Sequence, residues 1–225
     1  MLSTGCQWHA RPETDIGSRR AAPRRFQEWT AAGVFLARWK SGLVAYEALQ
    51  GLDGEGLARD GAMTQAPLGG KKVGQHPTDR GKLGATRRLR TEGGMPIGLA
   101  VAGAQRHDFK RVRETIESIP VKWLAPTPAT PQGLDLDKSD DDDEVRDLRA
   151  AFGCTAHLRA RGEEAKALKQ DAGVRARRWV VERTPSGMNR FRRVLIRWDK
   201  TVRNYLGCLH FACADLPSRP SGLLG

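Results

Sequence analysis

The apolar residues of the chain fall into two regimes, helical spacing up to about residue 55 and short strand-like runs alternating with helical ones after it. Over residues 25–39, a helical step of about 100° per residue puts Phe26, Trp29 and Leu36 on one face and Phe35 and Trp39 on the nearly opposite one. A helix that is apolar on two sides is a buried helix. The pattern continues through Leu43, Tyr46 and Leu49, with a break expected at Gly42. This N-terminal piece is too small to bury its own tryptophans, so it should pack on the domain C-terminal to it.

Residues 57–63 form the first strand candidate, which carries Asp60. A loop rich in Gly, Lys and Pro comes next, at 67–84. Two β-compatible runs, 85–91 and 96–104, meet at Glu92-Gly93-Gly94 and predict a hairpin. Asp108 can cap a helix over 109–119, where Val112, Ile116 and Ile119 recur at helical spacing and Pro120 ends it. A Pro-rich linker (127–132) leads to a fourth strand at 133–137 that ends in Asp137. A helix (142–152), a strand (155–159), a helix (162–172) and a closing helix complete a mixed sheet with flanking helices, an α/β layer architecture.

The closing helix, 175–197, reads RARRWVVERTPSGMNRFRRVLIR. Helical spacing places Arg175, Arg178, Glu182, Ser186, Asn189 and Arg193 on one side and Val180, Phe191, Val194, Leu195 and Trp198 on the other. Pro185 and Gly187 predict that this stretch is two helices meeting just after Glu182, with Thr184 as the second N-cap. An acid among arginines has two readings. Glu182 is either an ion-pair partner of Arg178 on a solvated helix or a metal ligand beside arginines that hold a polyanion.

Composition favours the polyanion. With 38 Lys+Arg against 26 Asp+Glu the net charge is +12, the electrostatic footprint of a nucleic-acid binder. No apolar run approaches about 18 residues, so no membrane span is expected. The N-terminus has no signal-peptide pattern, and the expected location is a bacterial cytoplasm, in association with the nucleoid. The cysteines at 6, 154, 208 and 213 lack zinc spacing and read as reduced, partly buried apolar residues.

Three acids stand apart from this background: Asp60 on the first strand, Asp137 at the end of the fourth and Glu182 on the closing helix. If the first and fourth strands are neighbours, the two aspartates stand side by side, and a helix packed over that edge adds Glu182. Converging carboxylates repel unless a divalent cation sits among them, and Mg²⁺ (or Mn²⁺) suits hard oxygen ligands and substrate phosphates. The arginine face, with Lys71, Lys72, Arg80, Lys82, Arg87, Arg88 and Arg90, then has a DNA backbone to hold. A solvated basic surface explains the loop and strand cations nearly as well. His107 reads as a helix-start residue, and Trp179 and Trp198 read as core.

Six segments taken in order, DGAMTQAPLGG (60–70), PTDRGKLG (77–84), PIGLAVAGAQRHD (96–108), LDKSDDDDEVR (136–146), RARRWVVERTPSGMNRFRR (175–193) and YLGCLHFACA (205–214), resemble bacterial insertion-sequence transposases of the DDE type, in the insertion-sequence-five-like group. The early GCQWHARP and RFQEWTAAGVF are similar to that family's helical preamble. The resemblance implies a ribonuclease H-like catalytic domain at 56–200, a partial helical region at 1–55 and a C-terminal helix and tail at 201–225. It also implies that Asp60, Asp137 and Glu182 bind catalytic Mg²⁺ and that Arg178 to Glu182 form the Arg-x3-Glu part of the family's Tyr-x2-Arg-x3-Glu-x6-Lys signature.

The chain departs from that pattern in places. Where the family reads Asp-Lys-Gly-Tyr-Asp, this chain has Asp137-Lys138-Ser139-Asp140-Asp141, and a run of acids extends to Glu144. The signature tyrosine is Arg175 and its lysine is Asn189, with Arg190 or Arg193 available to supply the charge. Relatives carry more residues before GCQW, so a shortened copy is expected. Two functions stand as expectations. One is a transposase that cleaves and joins double-stranded DNA at terminal inverted repeats and a target site, with a homodimer on DNA as its expected assembly. The other is a catalytically inactive remnant that binds DNA.

Overall fold

The computed structural model describes residues 1–10, 18, 20–50, 58–76, 80, 82–92, 95–105, 111–121, 132–136, 154–158 and 187–216; at 9, 49–50, 58–61, 88–92, 111–112, 132–136 and 154–158 the backbone alone is described. Two helices open the chain, α1 (Ala21–Ala31) and α2 (Val34–Gln50). The break between them falls at Gly33, where φ is +72°, and not at Gly42, which lies inside α2. A Cβ at Gly33 would meet nothing within 4 Å, so glycine is favoured there by the left-handed backbone and not by lack of space. Of the two apolar faces, the Phe35, Trp39 and Leu43 side is buried. Trp29 and Leu36 stay exposed, at 50% and 39%.

The strands are β1 (Ala58–Gln65), β2 (Gly74–Gln75), β3 (Leu83–Glu92), β4 (Met95–Gly103), β5 (Gln132–Leu136) and β6 (Cys154–Leu158). β3 is central, antiparallel to β1 on one side and to β4 on the other. β2 extends the β4 side by two residues, Gly74 opposite Gly84 and Gln75 opposite Leu83. β5 and β6 pair in parallel, Gln132 opposite Cys154, and β5 comes alongside β1. Among the described residues the strands thus form two sheets and not the one mixed sheet expected: the first and fourth predicted strands come near each other, but β5 is hydrogen-bonded to β6 and not to β1. The helices expected over 142–152 and 162–172 lie outside the described residues.

Besides a short 3-10 turn at Trp8–Ala10 and a helical turn at 187–189, the described chain has the helices α3 (Arg111–Glu117), a single turn α4 (Arg192–Leu195) and α5 (Val202–Asp215). α2 and α5 pack together and share one core with the sheet, built from Trp39 and Leu43, from Ile97, Leu99 and Val101 of β4, and from Tyr205, Leu209 and Ala212. Every residue of β4 is buried. Trp39 Nε1 donates to the Pro96 carbonyl at 2.9 Å, pinning α2 to β4. Beneath α1, a Cβ on Gly207 would stand 2.6 Å from Thr30 Oγ1, so glycine lets α5 approach at that point. Leu99 N, on the outer edge of β4, donates to Ser118 Oγ at 2.7 Å, which blunts that edge.

The closing helix is not continuous. After a helical turn at 187–189 the chain turns at Arg190, forms α4 and becomes extended at Ile196 (φ −124°, ψ 127°). Ile196 bridges Gln65 in parallel and Arg197 N donates to Gln65 O at 2.8 Å, on the edge of β1 away from β3. A rung on a strand edge thus replaces the last helical turn that amphipathic spacing predicts.

Candidate active site and nucleic-acid interface

Asp60 is the third residue of β1 and pairs with Leu89 in an unbroken ladder that runs on through Ala62–Arg87 and Thr64–Ala85. By strand parity these three rungs share one face of the sheet. That face is the one roofed by the C-terminal segment. Tyr205 of α5 reaches Thr64 Oγ1, and Arg87 donates from Nη1 to the Val194 carbonyl at 3.3 Å and from Nη2 to Asn189 Oδ1. The backbone that comes five to twelve residues after Glu182 therefore crosses the Asp60 face, and β5 beside β1 ends at Leu136, one position before Asp137 in sequence. Asp137 and Glu182 themselves lie outside the described residues. Among the described residues no three His, Cys, Asp or Glu stand together as a metal site.

Arg87 departs from the expectation of a strand cation that tracks DNA. It is 2% exposed, and among the described residues its Nε has no hydrogen-bond partner. A buried guanidinium without a carboxylate partner among the described residues is costly to desolvate. Its two remaining donors anchor residues 187–195 to the middle of the sheet.

The cations named from the sequence divide into three groups. Arg175 and Arg178 lie outside the described residues. Lys71, Lys72, Arg80 and Lys82 are exposed, as are Asn189 and Arg190. Lys72 and Arg80 have left-handed backbones, with φ of +57° and +47°. Arg193, which helical spacing places on the polar side, is instead buried: its Nη2 lies 3.3 Å from Asp199 Oδ1, its guanidinium sits 5.6 Å from the Trp8 ring, and its backbone N donates to Leu2 O. The helical turn at 187–189 ends at Arg190 and the helix after it is a single turn, so helical spacing does not carry through to Arg193. On the apolar side, Phe191 and Val194 are buried while Leu195 and Trp198 are 40% and 44% exposed.

Arg197 has no evident task in the sequence pattern. In the fold it is fully buried, and its guanidinium donates to four backbone carbonyls: Nε to Asp199 at 3.0 Å, Nη1 to Lys72 at 3.2 Å, and Nη2 to Lys71 at 2.8 Å and Lys200 at 3.3 Å. The ring of Tyr205 lies 5.2 Å away. Burial draws the Arg197 pKa down, while Tyr205 and Asp199 act to raise it. No local pattern marks such a residue, because two of its acceptors come from a loop over a hundred residues earlier in the chain.

The titratable groups inside the core are inert ones. Burial pushes the Cys208 and Cys213 thiols up to about 12, and burial also raises the Tyr205 phenol. Burial lowers His210, stacked on Trp39 at 5.7 Å, to about 4. An apolar cavity of about 390 Å³ lies between the N-terminus, α1 and α5, lined by Trp8, Phe26, Trp29, Phe35 and Phe211 among others. It holds no cluster of polar groups suited to catalysis. No helix among the described residues is long and apolar enough to cross a membrane.

No protein-family model matches the chain, and no solved structure matches it. It is 30% identical over 152 residues to a Burkholderia cepacia protein named "Putative transposase for insertion sequence element IS402", an alignment that covers 64% of this chain and 68% of that protein. The basic C-terminal segment over the sheet and this likeness lead to one family: the chain belongs to the insertion-sequence transposases.

Proposed function

We propose that the chain is a DDE-type transposase of the insertion-sequence-five-like group, with a ribonuclease H-like sheet and with Asp60, Asp137 and Glu182 as ligands of Mg²⁺ or Mn²⁺. The observation that carries this reading is the placement of Asp60 on the sheet face crossed by residues 187–195, with β5 ending one residue before Asp137 alongside β1. In sequence, Asp137 directly follows β5 and Glu182 comes five residues before the segment that crosses this face. Two divalent ions, when bound there, would polarise the scissile phosphate and help form the attacking nucleophile. Asp60 and Asp137 would hold both ions and Glu182 would complete the second site.

The remaining residues bind and orient DNA. Arg178 and Arg190 hold phosphates beside the acids, and Lys71, Lys72, Arg80 and Lys82 extend the contact along the backbone of double-stranded DNA. The reaction is cleavage at the 3′ ends of an insertion sequence, then attack of the freed 3′-hydroxyl on a target site, carried out in the cytoplasm at the nucleoid, with a homodimer on the DNA as the proposed assembly. Arg193, bound to Asp199, is left out of this set.

Purified protein is expected to nick an oligonucleotide that carries the element's terminal repeat, only with Mg²⁺ or Mn²⁺ present. Asp137→Asn and Glu182→Gln should each abolish the nick. Cleavage that survives both substitutions rejects the assignment of the acids.

A further inference from the structure

The four carbonyls gathered by Arg197 belong to Lys71, Lys72, Asp199 and Lys200. Two loops separated by more than a hundred residues are thus clasped by one planar fork of donors, whose geometry a lysine cannot reproduce. Lys71 O and Lys200 O both accept from the same Nη2, at 2.8 and 3.3 Å, so the backbones of these two lysines are held to one nitrogen. Gly70 permits this approach: its φ is +119°, and a Cβ there would collide with the Lys200 carbonyl.

The outward result is a compact positive patch. All three lysine side chains are exposed, and among the described residues none of them is in an ion pair. The neighbouring acid, Asp199, is turned inward to Arg193, its side chain 10% exposed. Trp198 stands next to the patch, 44% exposed. Three like charges on fixed backbone roots repel one another, and a row of phosphates relieves that repulsion while releasing counterions.

We propose that Arg197 is a positioning residue that gathers Lys71, Lys72 and Lys200 into one surface for the phosphate backbone of duplex DNA, with Trp198 at its margin. This rests on the DNA-handling reading above and adds Lys200 and the internal clasp, neither of which belongs to the acid site. The contact is independent of metal and of base sequence, and it lies where the strand rung at Ile196 leaves the edge of β1.

The test is binding of a fluorescent duplex in EDTA, so that cleavage plays no part, with affinity measured across salt concentrations. The triple variant Lys71→Ala, Lys72→Ala, Lys200→Ala should flatten the slope of log affinity against log salt by about 3, close to one counterion per lost phosphate contact. A control triple variant that removes the same charge from the N-terminal helical region, Arg20→Ala, Arg38→Ala and Lys40→Ala, all exposed, should change the slope by less than about 1. Arg197→Met, with all three lysines intact, should move the slope toward that of the lysine triple while far-ultraviolet circular dichroism stays native.

A lysine triple with the wild-type slope overturns the proposal, and so does a control triple that loses as much. Folded Arg197→Met protein with the wild-type slope overturns the positioning role, while the lysine substitutions touch only exposed side chains and so decide the surface itself even when Arg197→Met fails to fold. Wild-type protein that binds DNA in EDTA but does not cut in Mg²⁺ leaves this surface standing and removes the catalytic reading. Wild-type protein that binds no duplex removes both.

Discussion

Arg87 of β3 and Asn189, 102 residues later, are joined by a hydrogen bond from the guanidinium Nη2 to the amide Oδ1. The same guanidinium reaches the Val194 carbonyl, so one buried side chain fixes the start and the end of the segment C-terminal to Glu182. Removing the amide leaves a second Arg87 donor without its partner, at a cost of about 1–3 kcal/mol. Asn189→Ala should therefore lower the thermal midpoint, and in an Arg87→Met background the same substitution should cost far less. Additive losses in a denaturation-based double-mutant cycle would show that the two side chains are not coupled.

Trp39 joins the N-terminal helices to the sheet through its indole N–H and the Pro96 carbonyl. Trp39→Phe keeps an aromatic ring but orphans that buried carbonyl, and should cost about 1–3 kcal/mol. Trp39→Ala adds a cavity and should cost about 3–5 kcal/mol. Urea titrations read by far-ultraviolet circular dichroism separate the two; equal losses would mean that the hydrogen bond contributes nothing.

His210 carries a pH signature. Above about pH 6.5 both folded and unfolded chains hold it neutral, and no stability change arises from it. As the pH falls from 6.5 toward about 4, the unfolded chain takes up a proton that the buried, folded imidazole refuses, so stability falls; below about 4 both states bind it and the loss levels off. The full effect is about 3 kcal/mol at most. His210→Phe, measured against wild type over pH 4 to 7, should remove this part of the slope and leave the carboxylate part. Parallel curves for the two proteins would show that His210 is not held neutral.

Cys208 and Cys213 lie in the α5 face of the core with their thiols pushed up to about 12, whereas Cys6 is half-buried near the N-terminus. The thiolate is the reactive form. Iodoacetamide at pH 8 should label Cys6 in the native protein and reach Cys208 and Cys213 only after denaturation, as read by peptide mass spectrometry. Native labelling of either α5 cysteine would contradict the packing of α5 on α2.

Much of the architecture is legible in the chain because it is written in short-range periodicity. Short β-compatible runs set off by turn and linker residues identify β1, β3, β4, β5 and β6 to within one or two residues at most ends, and helical spacing identifies the Phe35–Trp39 face and α3. The break falls at Gly33 and not at Gly42 because a glycine's identity does not reveal which one adopts a left-handed φ; that depends on where α1 must turn to meet α5. Asp60 is recognisable from pattern as a strand residue, but its face comes from the register of β1 against β3, a pairing between residues nearly thirty positions apart.

The arginines mark the limit most clearly. Net charge and clustering already point to a polyanion as the expected partner, since such totals need no coordinates. Pattern alone places Arg87 and Arg193 on a basic face and gives Arg197 no role, yet all three are buried. A guanidinium can be buried when acceptors are supplied to it, and here those acceptors are the carbonyls of Val194, Lys71, Lys72 and Lys200 and the carboxylate of Asp199. Hydrophobic spacing is a property of neighbours along the chain, whereas the carbonyls that satisfy a buried arginine are neighbours in space. For that reason the family and the strand pattern can be read from residues in order, while the division of arginines between the core and the surface required the folded chain.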